Sequence, residues 1–148
     1  MGTVARSLAA DTFIKLTRAS ESVSKRIHTD LAEVGLTFSQ FAVLEVLYVK
    51  GPLCQRSLSE KVLNHSSGNM TLVVDNLEKR GLVERERRAA DRRMTHVGLT
   101  PAGLELISAF VPTHLERIGA EMGVLTDEEL VQLGRLLRKL GLGGDTKP

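Results

Sequence analysis

Between Ser66 and Leu99 the chain passes once from helical to strand periodicity. The segment runs SSGNMTLVVDNLEKR, then GLVERERR, AADRR and MTHVGL. Met70, Val73, Val74 and Leu77 recur at the spacing that lines one narrow face of a helix, and Gly81 is placed to end it. Beyond that glycine, Thr95, Val97 and Leu99 alternate as strand residues do, and Arg87 and Arg93 bracket a turn. The segment therefore reads as a short helix followed by a two-stranded ribbon with an arginine-rich tip. A helix of this kind can enter a major groove of duplex DNA, and a basic β-loop can reach a neighbouring minor groove or phosphate.

The flanking chain is helical by the same reading. Phe13, Leu16, Val23, Ile27 and Leu31 place one long helix over about Leu8 to Val34, which Gly35 stops. Thr37 with Gln40 is a capping box, opening a second helix through about Val49 that carries Phe38, Phe41, Leu44 and Leu47. Gly51-Pro52 breaks the chain before a short third helix, about Gln55 to Leu63. Ser66 is placed to N-cap the fourth. Thr100-Pro101 starts a fifth, bearing Leu104, Ile107, Phe110, Val111, Leu115 and Ile118, with a kink expected at Pro112. Thr126 with Glu129 opens the last helix, with Leu130, Leu133, Leu136, Leu137 and Leu140, and the tail from Gly141 is expected to fray.

The fold class that follows is mainly α with a small β-hairpin wing: a winged helix-turn-helix with N- and C-terminal dimerisation helices. At 148 residues it forms a single domain, 1–148, with the DNA-binding module at 37–100. The flanking helices, 8–34 and 101–140, are too apolar for lone arms, so a second copy is expected to cover them.

No apolar run approaches a membrane-spanning length and the N-terminus lacks the pattern of a signal peptide, so a cytoplasmic protein is expected. The single cysteine, Cys54, excludes an internal disulfide. No metal or cofactor is expected: no two histidines stand four apart, and no phosphate-cradling glycine loop is present. Ser22 and Lys25 match a serine–lysine spacing, but the companion motifs of that chemistry are missing and an enzyme is not expected. The net charge is only +2, yet seven basic residues stand against three acidic ones between Lys79 and Arg93. Such a local basic face suits a compact DNA footprint. A solvated charged hairpin is the plainer alternative, although adjacent arginines at a tip repel unless an anion or Asp91 neutralises them.

Opposite its apolar stripe the fourth helix presents Gly68, Thr71, Leu72, Asp75, Asn76 and Lys79, with Asn69 at one edge. Asn can pair two-fold with adenine, and the backbone N–H groups at Ser66, Ser67 and Gly68 suit a phosphate. An ordinary polar surface helix would look similar. Leu72 could contact a thymine methyl or pack under the wing. Asp75 needs a neighbouring cation, for which Arg85 or another hairpin arginine is the candidate.

The run LTFSQFAVLEVL…GPL…SSGNMTLVVDNLEKRGLVERERRAADRRMTHVGLTPAG resembles the MarR (multiple antibiotic resistance regulator) family from about Thr37 to Gly103. Asp91-Arg92-Arg93 followed by Val97-Gly98-Leu99-Thr100 and Ala102-Gly103 is its most specific part. The resemblance implies a homodimeric transcriptional regulator, mostly a repressor, binding a pseudo-palindromic operator in double-stranded DNA. It makes Ser66 to Asn76 the recognition helix, Asp91 the brace of the wing, Arg93 the minor-groove residue and Arg92 a phosphate contact. With Arg88, the DNA-binding set is then Ser66, Ser67, Gly68, Asn69, Thr71, Leu72, Asn76, Arg88, Arg92 and Arg93.

The resemblance also implies release from DNA by a small phenolic or lipophilic effector bound between the module and the dimerisation helices. Phe13, Leu16, Phe41, Leu44, Phe110 and His114 could line such a pocket, although apolar residues at helical spacing also make plain core. Two departures stand out. Many relatives carry arginine where this chain has Leu72, and serine followed three residues on by glutamate where it has Cys54 and Ser57, so a reciprocal cap is expected to be lost. Cys54 at a helix start could make a thiol-based redox sensor or be a buried, inert residue. A winged helix turned to binding a protein partner is the remaining alternative, one that would not need Arg92 and Arg93 together.

Overall fold

The computed structural model describes residues 7–62, 67–87 and 94–141, without the side chains of residues 67 and 68. In order they form α1 (Leu8–Ile27), a 3-10 helix (His28–Val34), α2 (Phe38–Lys50), β1 (Leu53–Cys54), α3 (Gln55–Lys61), α4 (Ser67–Lys79), β2 (Val83–Arg87), β3 (Thr95–Leu99), α5 (Pro101–Met122) and α6 (Asp127–Gly141). Among the described residues no single helix is long and apolar enough to cross a membrane.

The expected first helix changes character at Ile27 and continues as a 3-10 helix. This 3-10 segment buries two adjacent residues, Asp30 and Leu31, whose side chains go to different partners. Asp30 is held from α5: His114 Nδ1 lies 3.4 Å and Arg117 Nε 3.2 Å from its Oδ2. Leu31 enters the core instead. The ion pair Arg26–Glu121, at 2.7 Å, ties α1 itself to α5.

Both expected capping boxes are present. Thr37 Oγ1 accepts from Gln40 N at 3.2 Å and Gln40 Oε1 accepts from Thr37 N at 3.0 Å. Thr126 and Glu129 exchange the same pair of bonds at 3.3 and 2.8 Å. The cap of α3 is built from sulfur: Cys54 Sγ accepts from Ser57 N at 3.5 Å and lies 3.1 Å from the Ser57 hydroxyl. The expectation of a lost cap is thus corrected in its forward half, since a thiol can accept an N–H as a hydroxyl does. α5 runs through Pro112 as one element.

The ribbon has three strands rather than two. β1 adds to it antiparallel, giving the order β1-β3-β2, with Leu53 opposite Val97 and Val83 opposite Leu99. A two-residue strand is too short to show alternation, which is why periodicity did not find it.

The core lies between α2, α3, α4, the sheet and the start of α5, where Leu44, Leu58, Met70, Leu77 and Ile107 are fully buried. Just past the end of α4 stands Gly81, whose φ of 71° favours glycine, and the chain turns at once into Leu82 and β2. That turn is tied to α5 by Thr100, whose hydroxyl donates to Gly81 O at 2.6 Å and whose N–H donates to Leu82 O at 3.1 Å. Gly103 permits the approach, because a Cβ there would sit 2.0 Å from Leu82 O. The outer helices are different. α6 buries no residue of its own, and Val131, Leu136, Leu137 and Leu140 are exposed on it, as are Leu8 and Phe13 on α1.

Candidate nucleic-acid interface

α4 buries Met70, Val74 and Leu77, with Val73 half-buried. The polar side is outward: Asn69, Thr71 and Asn76 are exposed, and Leu72 is 58% exposed. Leu72 therefore stands on the outward face of α4 rather than packed beneath the described part of the wing. Gln55, the first residue of α3, reaches across to this face and donates from Nε2 to Thr71 Oγ1 at 2.6 Å.

Asp75 has the cation that its position demands. Arg85 on β2 places Nη2 2.6 Å from Asp75 Oδ1 and Nη1 3.3 Å from Glu78 Oε1. One strand arginine thus pairs with two carboxylates on the helix and fixes the root of the wing against it. Arg87, two residues on and exposed, projects from the same strand without an ion pair among the described residues. At the far end of α4, Arg80 donates to Gly35 O at 2.6 Å and to Val34 O at 3.3 Å, docking the helix terminus onto the 3-10 segment. Neither Gln55 nor Arg80 was singled out from sequence, because both act across separations no local pattern encodes.

The predicted contacts at Ser66, Arg88, Arg92 and Arg93, the brace Asp91 and the turn between Arg87 and Arg93 lie outside the described residues. So does the Ser66 cap, and the side chains of Ser67 and Gly68 are not described either.

The six residues assigned to an effector pocket divide. Phe41, Phe110 and His114 come together, with ring centroids 4.7 to 5.4 Å apart, and His28 stacks on His114 at 5.6 Å. Burial, and then the charge of the neighbouring His114, lowers the pKa of His28 from its ordinary value. Leu44 is core, Leu16 is half-buried on α1, and Phe13 is 64% exposed, away from the cluster's buried interior. Only Phe110 of the six lines the cleft of about 340 Å³ between the 3-10 segment and α5, which Asp30, Val34, Leu106, Thr113 and Arg117 also border. Cys54 is half-buried, and its thiol pKa is lowered chiefly by the Ser57 hydroxyl.

Comparison with known proteins agrees in fold and family. The sequence model of the MarR family matches residues 36–95. The chain is 35% identical over 130 residues to the HTH-type transcriptional regulator MhqR of Bacillus subtilis, covering 88% of this chain and 89% of the relative. Its fold is similar to that of Bordetella bronchiseptica BpsR, whose DNA binding is regulated by 6-hydroxynicotinic acid. There the TM-score is 0.81 at 26% identity, over 93% of this chain and 97% of that one. It is also similar to S. aureus MepR in a complex with DNA, with a TM-score of 0.74 at 25% identity, over 87% and 94% of the two chains.

Proposed function

The chain belongs to the MarR family, and from that premise we propose that it is a DNA-binding transcriptional regulator, a repressor acting as a homodimer in the cytoplasm. The observation that carries this reading is the outward face of α4, where exposed Asn69, Thr71, Leu72 and Asn76 stand beside a wing strand fastened to the same helix by Arg85. In the proposed complex these side chains meet base edges in the major groove, and the N–H groups of residues 66–68 hold a phosphate. Arg93 enters the minor groove, Asp91 braces it, and Arg88 and Arg92 contact phosphate. The module comprises residues 37–100 of one domain, and residues 8–34 and 101–140 form the dimer contact.

The dimer is supported by α6, which presents an apolar stripe that the described residues leave uncovered. Two such modules would set two recognition helices into half-sites of an imperfect palindrome about one helical turn apart. A small phenolic or lipophilic effector is proposed to shift that spacing by binding one dimer shape better than the other. DNA binding by the similar protein BpsR is regulated by a small aromatic acid, 6-hydroxynicotinic acid. No catalytic role is assigned.

Selection from a random duplex library tests the proposal. The expected product is a half-site repeated as an imperfect palindrome, bound by two protomers in sedimentation, with Arg93→Ala binding far more weakly. Asn69→Ala should relax base choice at one position by about 1–3 kcal/mol. Retention of no duplex would refute the reading in favour of a protein-interaction module.

A further inference from the structure

We propose that Thr71 reads a thymine through its methyl group, and that Gln55 is the residue that turns it to do so. The inference rests on the reading of α4 as the major-groove helix. Threonine in a helix divides between two side-chain rotamers. In this protein one hold on the hydroxyl comes from outside the helix, because the amide of Gln55 lies 2.6 Å from Thr71 Oγ1. The bond survives either assignment of the amide's oxygen and nitrogen, since a hydroxyl both donates and accepts.

With Oγ1 drawn toward α3, tetrahedral geometry at Cβ directs Cγ2 elsewhere. Thr71 is nevertheless exposed. Its hydroxyl is engaged with the scaffold, so the group it offers a groove is the methyl. The next residue, Leu72, is 58% exposed and wholly apolar in its side chain. Two consecutive residues of a DNA-facing helix thus present hydrocarbon. The only apolar group on the major-groove edge of a base pair is the C5-methyl of thymine. Gln55 is accordingly a positioning residue, acting on base choice through Thr71.

The experiment uses the full-length dimer and the duplex obtained by selection, with each thymine of the half-site replaced in turn by deoxyuridine, which lacks only that methyl. Affinity is read by fluorescence anisotropy. At one position the substitution should weaken binding about fourfold in a single half-site and about fifteenfold in both, the effect of exposing one methyl in each. Thr71→Val, which carries a methyl at both γ positions and so presents one without the hydroxyl's bond to Gln55, should retain this thymine-over-uracil ratio. Thr71→Ser, which keeps the hydroxyl and loses the methyl, should bring the ratio at that position to about one. Gln55→Leu should reduce the ratio with the thermal midpoint unchanged, which separates positioning from folding.

A ratio retained by Thr71→Ser and lost in Thr71→Val would overturn the proposal, because the hydroxyl would then be the reader. So would a half-site insensitive to uracil at every thymine, and an unaltered ratio in Gln55→Leu would overturn the role given to that residue. Failure of the wild-type protein to bind any duplex would instead refute the reading of α4 as a DNA-facing helix.

Discussion

Replacing Arg85 with methionine keeps the aliphatic stem in place and removes the positive charge paired with two carboxylates on α4. The guanidinium lies 2.6 Å from Asp75 and 3.3 Å from Glu78, and it is 23% exposed against 43% and 44% for its partners. Water screens pairs of this exposure, so the loss in folding stability should stay near about 1 kcal/mol, a fall of roughly 2–4 °C in Tm. The larger effect should appear on DNA. An uncovered carboxylate about 8 Å from a phosphate, across a medium of effective dielectric about 40, adds about 1 kcal/mol of repulsion. That is roughly fivefold in Kd per half-site and about thirtyfold for a dimer. The assay is a double-mutant cycle by fluorescence anisotropy on one duplex at fixed salt, with Arg85→Met, Asp75→Asn and the double variant. If Arg85 serves to neutralise Asp75, the double variant recovers most of the affinity lost in Arg85→Met. If the two effects simply add, within about 0.5 kcal/mol, Arg85 does not act through Asp75 and the neutralisation argument is wrong.

Three further outcomes follow from the geometry. Gly103→Ala drives a Cβ to 2.0 Å from Leu82 O and strains the Thr100 N–H bond to the same oxygen. Its overpacking cost of about 1–3 kcal/mol should exceed the roughly 1 kcal/mol that alanine gains in a helix. Calorimetry should therefore show a lower Tm, whereas a rise would show that the close packing of α5 on Leu82 is not tight. His28 has a lowered pKa because burial and His114 disfavour its charged form, so below about pH 6.5 the unfolded chain binds a proton that the folded chain resists. Stability should be full above that pH and decline below it, and denaturant titrations of His28→Gln should show a shallower decline. The Cys54 thiol, held down chiefly by the Ser57 hydroxyl, should alkylate with a midpoint below that of a free cysteine. Ser57→Ala should move that midpoint upward, and an unmoved midpoint would exclude the hydroxyl as its cause.

What could be read from the chain before its fold was known was local or chemically forced. The two capping boxes involve residues three apart, and their bonds form wherever the surrounding helix forms. The partnership of Asp75 with Arg85 was legible for another reason. Helical phase put a carboxylate on a face meant for DNA, and only a wing cation stood ready to offset it. Features that depend on distant chain escaped. The 3-10 winding at Asp30 belongs with His114 and Arg117, more than eighty residues away. Gln55 acquires a role only when α3 lies against α4, and Arg80 only when α4 ends beside Gly35. The effector residues were grouped by shared apolar character, but packing takes Leu44 into the core and leaves Phe13 exposed.

The central claim, that α4 and its wing hold duplex DNA, is tested most directly by the salt dependence of duplex affinity. Each phosphate neutralised should contribute a slope of about −0.9 to log K against log salt. For the wild-type dimer with two wings engaged, affinity should fall by orders of magnitude between about 50 and 200 mM salt, as expected for several phosphate contacts. A slope near zero, or no duplex binding at low salt, would contradict the account.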